Sequence, residues 1–179
     1  MSGETTLLQN NELIDNKDAG IALAPQTCLK RQYIIKKMIF QSKHFIGYLA
    51  FDEIIKSNVI IKEFFPINLV SKRDIKNDVL VVSANSKIFM LAQENFVRLF
   101  KILQKFRANP STIKIFDSFI ENNTIYCVQE IPEGLTLKKF LSNNYGELNW
   151  EQSKKMFVDL MRFMHSLHSY GVVHCDLNP

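Results

Sequence analysis

The chain has 179 residues, 46% of them hydrophobic and 14 of them Phe, with 22 Lys and Arg against 18 Asp and Glu for a formal charge of +4. That length allows one ordinary domain or about two-thirds of a larger one, and the composition is that of a globular chain with enough apolar material for a core. The basic residues are spread out. Their densest stretches, Lys30-Arg31 with Lys36-Lys37 and then Lys72-Arg73, have no interleaved aromatic stripe. They read as solvated strand ends and loops, and no nucleic-acid partner is expected.

Residues 1–28 are polar and aperiodic, and are expected to form a poorly ordered extension. Residues 1–20 are polar and acidic with no apolar stretch of signal-peptide length, and no run anywhere approaches the ~18 apolar residues of a membrane span. Cys28, Cys127 and Cys175 are odd in number, far apart and without metal-ligand spacing. They predict reduced thiols in a cytoplasmic chain, with no metal site and no membrane contact in this segment.

From Tyr33 the texture changes. Residues 33–40, 45–52 and 58–65 are β-rich runs separated by short polar breaks, as in an antiparallel meander. Pro66 ends the third run because proline cannot donate to a ladder. Between 86 and 106 the period becomes helical, with Phe89, Ala92, Phe96, Leu99, Phe100 and Leu103 on one face. Asn109-Pro110-Ser111 breaks this helix. Residues 113–120 and 124–130 then read as a hairpin across Glu121-Asn122-Asn123, since Asn tolerates positive φ.

A short helix is expected over 135–141. A longer one starts at Asn149, with Gln152 three residues on completing a capping box. Its apolar stripe is Phe157, Leu160, Met161, Met164 and Leu167. Such a face must be buried, so a partner or a further stretch of chain is expected over Phe157, Leu160, Met161 and Met164. The fold class is α+β: a five-stranded antiparallel sheet with one main helix, followed by helices.

Three segments carry candidate chemistry. Val59-Ile60-Ile61-Lys62 ends an apolar strand in a lysine, which can hold phosphate oxygens as a point charge. The plain alternative is a strand-end lysine in solvent. Val128-Gln129-Glu130-Ile131-Pro132-Glu133-Gly134 runs a strand into a Pro/Gly connector, whose backbone groups suit a flat ring, or which is simply a loop. His174-Cys175-Asp176-Leu177-Asn178-Pro179 follows a helix, and an Asp in such a loop can accept a hydroxyl proton or merely cap a turn. His165 and His168 are three apart on the long helix, but no carboxylate or Cys ligand accompanies them.

Taken together, these segments resemble the eukaryotic-type protein kinase family, in particular the bacterial Ser/Thr protein kinases. Val59-Ile60-Ile61-Lys62-Glu63-Phe64-Phe65-Pro66 is similar to that family's lysine strand. Tyr48-Leu49-Ala50-Phe51-Asp52 resembles the strand before it, Thr124 to Glu130 the strand entering the hinge, and Leu167-His168 through Asp176 the approach to the catalytic loop. The resemblance implies a kinase N-lobe over 29–131, and a hinge exit with the start of a helical C-lobe over 132–179, cut at the catalytic loop.

It also implies ATP and Mg²⁺ as cofactors and a protein substrate or partner. Lys62 would contact the α- and β-phosphates, Ile60 would lie against adenine, and Gln129 would stand beside it as gatekeeper. Glu130 and Ile131 would offer hinge backbone. Asp176 would orient or deprotonate the acceptor hydroxyl, supported by His174, a role that typically supplies about 10²–10⁴ in rate.

The pattern is also damaged. The family's glycine-rich loop needs glycines so that backbone N–H groups can approach phosphate, yet its glycine places hold Phe40, Ser42 and Phe45, with Gly47 nearby. The helix glutamate that should pair with Lys62 is replaced by Leu99. Glu94, five residues earlier, lies about 140° around the helix and about 7.5 Å along it.

Ile60 is bulkier than the usual Ala, Cys175 replaces an Arg and Asn178 a Lys. The metal-binding segment is not within the chain. Three readings follow. The preferred one is a pseudokinase-like binding module with weak or no ATP binding. The alternatives are the N-terminal part of an active bacterial Ser/Thr kinase, and a small-molecule phosphotransferase of the aminoglycoside or choline kinase type.

Overall fold

The computed structural model describes residues 21–109, 112–143, 149–174 and 177. They fall into two compact units, a larger one that includes residues 112–132 and the described residues up to Ala108, and a smaller one from Glu133 onward.

In the larger unit the apolar runs form strands β1 (Cys28–Leu29), β2 (Tyr33–Gln41), β3 (Phe45–Asp52), β4 (Ser57–Phe64), β5 (Val70–Arg73) and β6 (Val79–Val81). After helix α1 (Ser86–Lys105) come β7 (Ile115–Glu121) and β8 (Thr124–Gln129). Six strands make one sheet in the order β1-β2-β3-β4-β8-β7, and every neighbouring pair is antiparallel. β5 and β6 form a separate antiparallel hairpin.

The five expected strands are all present within a residue or two at most ends, and the curled sheet with one main helix is a protein-kinase-like N-lobe. The predicted β7–β8 turn is made by Asn122 and Asn123, at φ 52° and 55°. Two features exceed the expectation. β1 adds a two-residue sixth strand, joined to β2 through Lys30 and Arg31 at φ 50° and 53°. The β5–β6 hairpin occupies the stretch left unassigned after Pro66. Its turn is held by the Asp74 carboxylate, which accepts from the N–H groups of Lys76 at 2.8 Å and Asp78 at 2.9 Å.

Successive residues of a strand point to opposite faces, and the register therefore divides the sheet. One face carries Ile35, Ala50 and Val59 in a row, then Tyr48, Ile61 and Val128, then Glu63 and Tyr126. It is covered by the β5–β6 hairpin and by residues 21–29, whose Leu23 and Leu29 are buried. The folded body thus reaches back past the expected boundary at residue 28. We call this the cap face.

The other face carries Leu49, Ile60 and Gln129 in one row, Gly47, Lys62 and Cys127 in the next, and Phe45 beside Phe64. α1 packs here, because its buried residues Phe89, Phe96 and Phe100 recur on one side of the helix. The Phe64 ring lies 5.4 Å from that of Phe89 and 5.3 Å from that of Phe96. The stripe read from sequence is narrower than expected, since Leu99 is 41% exposed. This is the helix face.

The smaller unit holds α2 (Leu137–Asn143) and α3 (Trp150–Ser169). The predicted capping box at the start of α3 is formed in both directions between Asn149 and Gln152. The α3 stripe divides in two: Met164 and Leu167 are buried, whereas Phe157 and Met161 are exposed. Among the described residues no helix is long and apolar enough to cross a membrane.

Candidate functional site

The site is built around two neighbours on β4. Glu63 faces the cap and is fully buried. A carboxylate taken out of water must have its oxygens satisfied, and here both are. The Tyr48 hydroxyl donates to one at 2.7 Å, the Tyr126 hydroxyl to the other at 3.0 Å, and the Arg73 guanidinium closes an ion pair.

Arg73 also donates to the carbonyls of Ile21 and Asn77 and lies over the Phe65 ring at 5.0 Å. Tyr48 accepts from the Leu23 N–H, and Tyr126 from the Asn122 amide. Burial raises both tyrosine pKa values, and the Glu63 charge raises them further. For Arg73 burial opposes the charge, but Glu63 more than offsets it and the pKa is raised.

Lys62 faces the other way. It is half-buried, and burial lowers its pKa. Among the described residues it makes no ion pair or side-chain hydrogen bond. Leu99, which the resemblance puts at the place of the family's glutamate, has no charge to offer. Directly across the ladder on β8 is Cys127. Its thiol is pushed up to about 12, first by burial and less by Asp117, with Lys62 pulling the other way.

Ile60 is buried one row along on the same face, opposite the buried Gln129. Glu130 follows and is fastened to Lys114. Its N–H donates to the Lys114 carbonyl at 3.0 Å, and its carboxylate accepts from the Lys114 N–H at 2.8 Å and meets the ammonium at 3.2 Å. The Lys114 N–H is the main cause of the lowered Glu130 pKa. Ile131 is half-buried beside it.

The structure therefore brings Lys62, Ile60 and Gln129 onto one face, with Glu130 and Ile131 leaving its edge. His174 is exposed beyond the end of α3 in the other unit, and Asp176 lies outside the described residues. Among the described residues no group of three or more His, Cys, Asp and Glu side chains could hold a metal.

The β2–β3 turn is the decisive part of the geometry. A phosphate cradle requires backbone N–H groups free to point at oxygen. In this turn the Ser42 N–H donates to the Phe45 carbonyl at 2.8 Å, and the Phe45 N–H donates to the Ser42 hydroxyl at 3.0 Å. The His44 N–H also reaches that hydroxyl, at 3.3 Å.

The turn is also fastened down to the end of β4. The Phe65 N–H donates to the His44 carbonyl and the Ile67 N–H to that of Lys43. The Phe45 ring packs against Phe96 with centroids 5.2 Å apart. Gly47 is no open place either: a methyl group there would lie 2.1 Å from the Phe40 ring, which rests on the glycine. The glycine-loop residues present do not fit a bound triphosphate. The sequence already marked Phe40 as a lost glycine, but not that its ring fills the space over Gly47.

An antiparallel N-lobe sheet with its main helix packed on one face, and the half-buried Lys62 on that same face, is a kinase-like fold. The chain belongs to the protein kinase family: the family model described as the protein kinase domain matches residues 68–179, more than half of it.

It is similar to CDPK-related kinase 8 of Arabidopsis thaliana, 28% identical over 111 residues, which are 60% of this chain and 18% of that protein. It is also similar to Serine/threonine-protein kinase D of Synechocystis sp., 29% identical over 90 residues, 50% of this chain and 17% of that one. The chain thus spans about a fifth of the length of these curated relatives. Among solved structures, the PpkA-294 apo form shares the fold, with a TM-score of 0.76 at 21% identity over 88% of this chain and 55% of that one.

Proposed function

We propose that this chain works as a kinase-shaped binding module within a Ser/Thr-kinase-like protein, and that it holds nucleotide weakly or not at all. Protein kinases use ATP with Mg²⁺ and act on protein substrates, and phosphoryl transfer rests on positioning and charge neutralisation of the phosphates. The observation that carries the reading is the β2–β3 turn, whose N–H groups are spent on its own Ser42 and Phe45 while Phe40 covers Gly47. The missing partner of Lys62 among the described residues supports it, because an unpaired lysine is not held in the pose that grips phosphate.

A second reading, an active Ser/Thr kinase, is favoured by the retained Lys62 and by the kinases it resembles. In that reading Asp176 is the base, His174 its support, and Glu130 and Ile131 the adenine-binding backbone. Thermal shift separates the two, since a nucleotide that binds only the folded state raises its melting temperature by mass action. The module reading predicts no rise with millimolar ATP, with or without Mg²⁺. A Mg²⁺-dependent rise that Lys62→Ala removes would establish the enzyme reading instead.

A further inference from the structure

The ladder between β2 and β3 has two irregularities, between Ile35 and Lys37 and between Met38 and Phe40, and the position of the second is informative. Met38 pairs with Tyr48 and Phe40 with Gly47, so β2 spends one extra residue, Ile39, between consecutive pairs. A bulge re-aims the side chains that follow it. Without it Ile39 would stand opposite Gly47. With it Phe40 does, on the same face as Lys62, which pairs with Gly47 from the other side.

Neighbouring strands are about 4.8 Å apart, so Phe40 and Lys62 stand about 10 Å apart across the sheet with only a glycine between them. The Phe40 ring takes up the room that glycine leaves, to the point that a methyl group on Gly47 would collide with it at 2.1 Å. A ligand lying against Gly47 to reach Lys62 would need that same volume. Phe40 is half-buried and belongs to the chain itself, so the obstruction is built in.

We propose that Phe40 is the specificity-determining residue of this face: it plugs the surface over Gly47 and thereby keeps phosphorylated ligands from Lys62. This rests on the reading of the Lys62 face as a degenerate nucleotide site, and it locates the defect. The lost turn glycines weaken the cradle, whereas Phe40 occupies the space.

The test is calorimetric titration of ATP, with and without Mg²⁺, into the full chain as wild type, Phe40→Ala and Phe40→Thr, and into each Phe40 variant combined with Lys62→Ala. Threonine keeps the strand preference, so it decides the matter if the alanine variant does not fold. The expected result is no saturable binding by the wild type, and binding by both Phe40 variants that is tighter by about tenfold or more, equivalent to about 1.4 kcal/mol. Lys62→Ala abolishes this gain.

Folded Phe40 variants as silent as the wild type would overturn the plug and leave the module reading standing. A wild type that binds ATP as tightly as its Phe40 variants would overturn both. A gain that survives Lys62→Ala would place the nucleotide elsewhere and also overturn the plug.

Discussion

Lys62 and Glu63 are adjacent in sequence and on opposite faces of one strand, and their surroundings could hardly differ more. On the cap face Glu63 is fully buried, and every oxygen is answered by Tyr48, Tyr126 and Arg73. On the helix face Lys62 is half-buried, and no described residue pairs with it. The cap face ties together segments far apart in the chain, since Arg73 alone links the hairpin to β4 and to Ile21. It holds the fold. The helix face carries Lys62 with no described partner, and in the reading proposed above the family's shape persists there without its chemistry.

The largest expected effect lies on the cap face. Removing one member of a buried ion pair leaves the other charged and unpaired, at a cost of about 3–5 kcal/mol. Glu63→Ala and Arg73→Ala should each lower the urea midpoint accordingly, while replacing both with apolar residues of similar volume should recover much of the loss. A single-variant loss below about 1 kcal/mol would show that the network is not what holds the cap.

Tyr126→Phe should cost less, about 1.5–3 kcal/mol, because it deletes one hydrogen bond to a charged acceptor. It also removes the acceptor for the Asn122 amide. Chemical denaturation of this variant beside Tyr48→Phe ranks the two hydroxyls.

Lys62→Met on the helix face should be neutral or stabilising, the opposite sign to its neighbour. Its pH dependence follows from the lowered pKa. The folded ammonium gives up its proton at lower pH than the unfolded one, so between the two values the unfolded chain holds an extra proton. Wild-type stability should therefore rise with pH on approach to 10.5, the ordinary lysine value, and level off above it. Lys62→Met should lack that rise, and equal slopes for the two proteins would contradict the burial of an unpaired ammonium.

The smallest effect concerns thiols. With its pKa pushed up to about 12, Cys127 remains a buried thiol at neutral pH. The exposed Cys28 should alkylate before Cys127, as the thiolate is the reactive form. Peptide mapping after brief iodoacetamide treatment should show the Cys127 peptide unmodified until denaturant is added.

Much of this contrast was legible in the sequence, and what was missed has physical causes. β-rich runs between short polar breaks, with Pro66 at the end of the third, mark β2 to β4, and the helical recurrence of Phe89, Phe96 and Phe100 places α1. The Asn149–Gln152 pair announced its own cap, because each is a local rule satisfied within a few residues. The β5–β6 hairpin was missed because strands of four and three residues are too short to show a period.

Arg73 could not be matched with Glu63 because their meeting depends on how the hairpin folds back. From sequence alone Phe40 is only a missing glycine. The bulge at Ile39 that turns its ring over Gly47 has no sequence signal of its own. In the sequence the α3 face is one stripe, although burial divides Met164 and Leu167 from Phe157 and Met161. Asp176, the proposed base, falls outside the described residues.

The most direct measurement is hydrogen exchange of the wild-type chain with and without millimolar Mg-ATP, read at residues 40–47 and 60–62. Amides already bonded within the β2–β3 turn have no phosphate to gain, so the account predicts unchanged protection in both stretches. Added protection across 42–47 that disappears in Lys62→Ala would mean that the turn opens to hold nucleotide, and would contradict it.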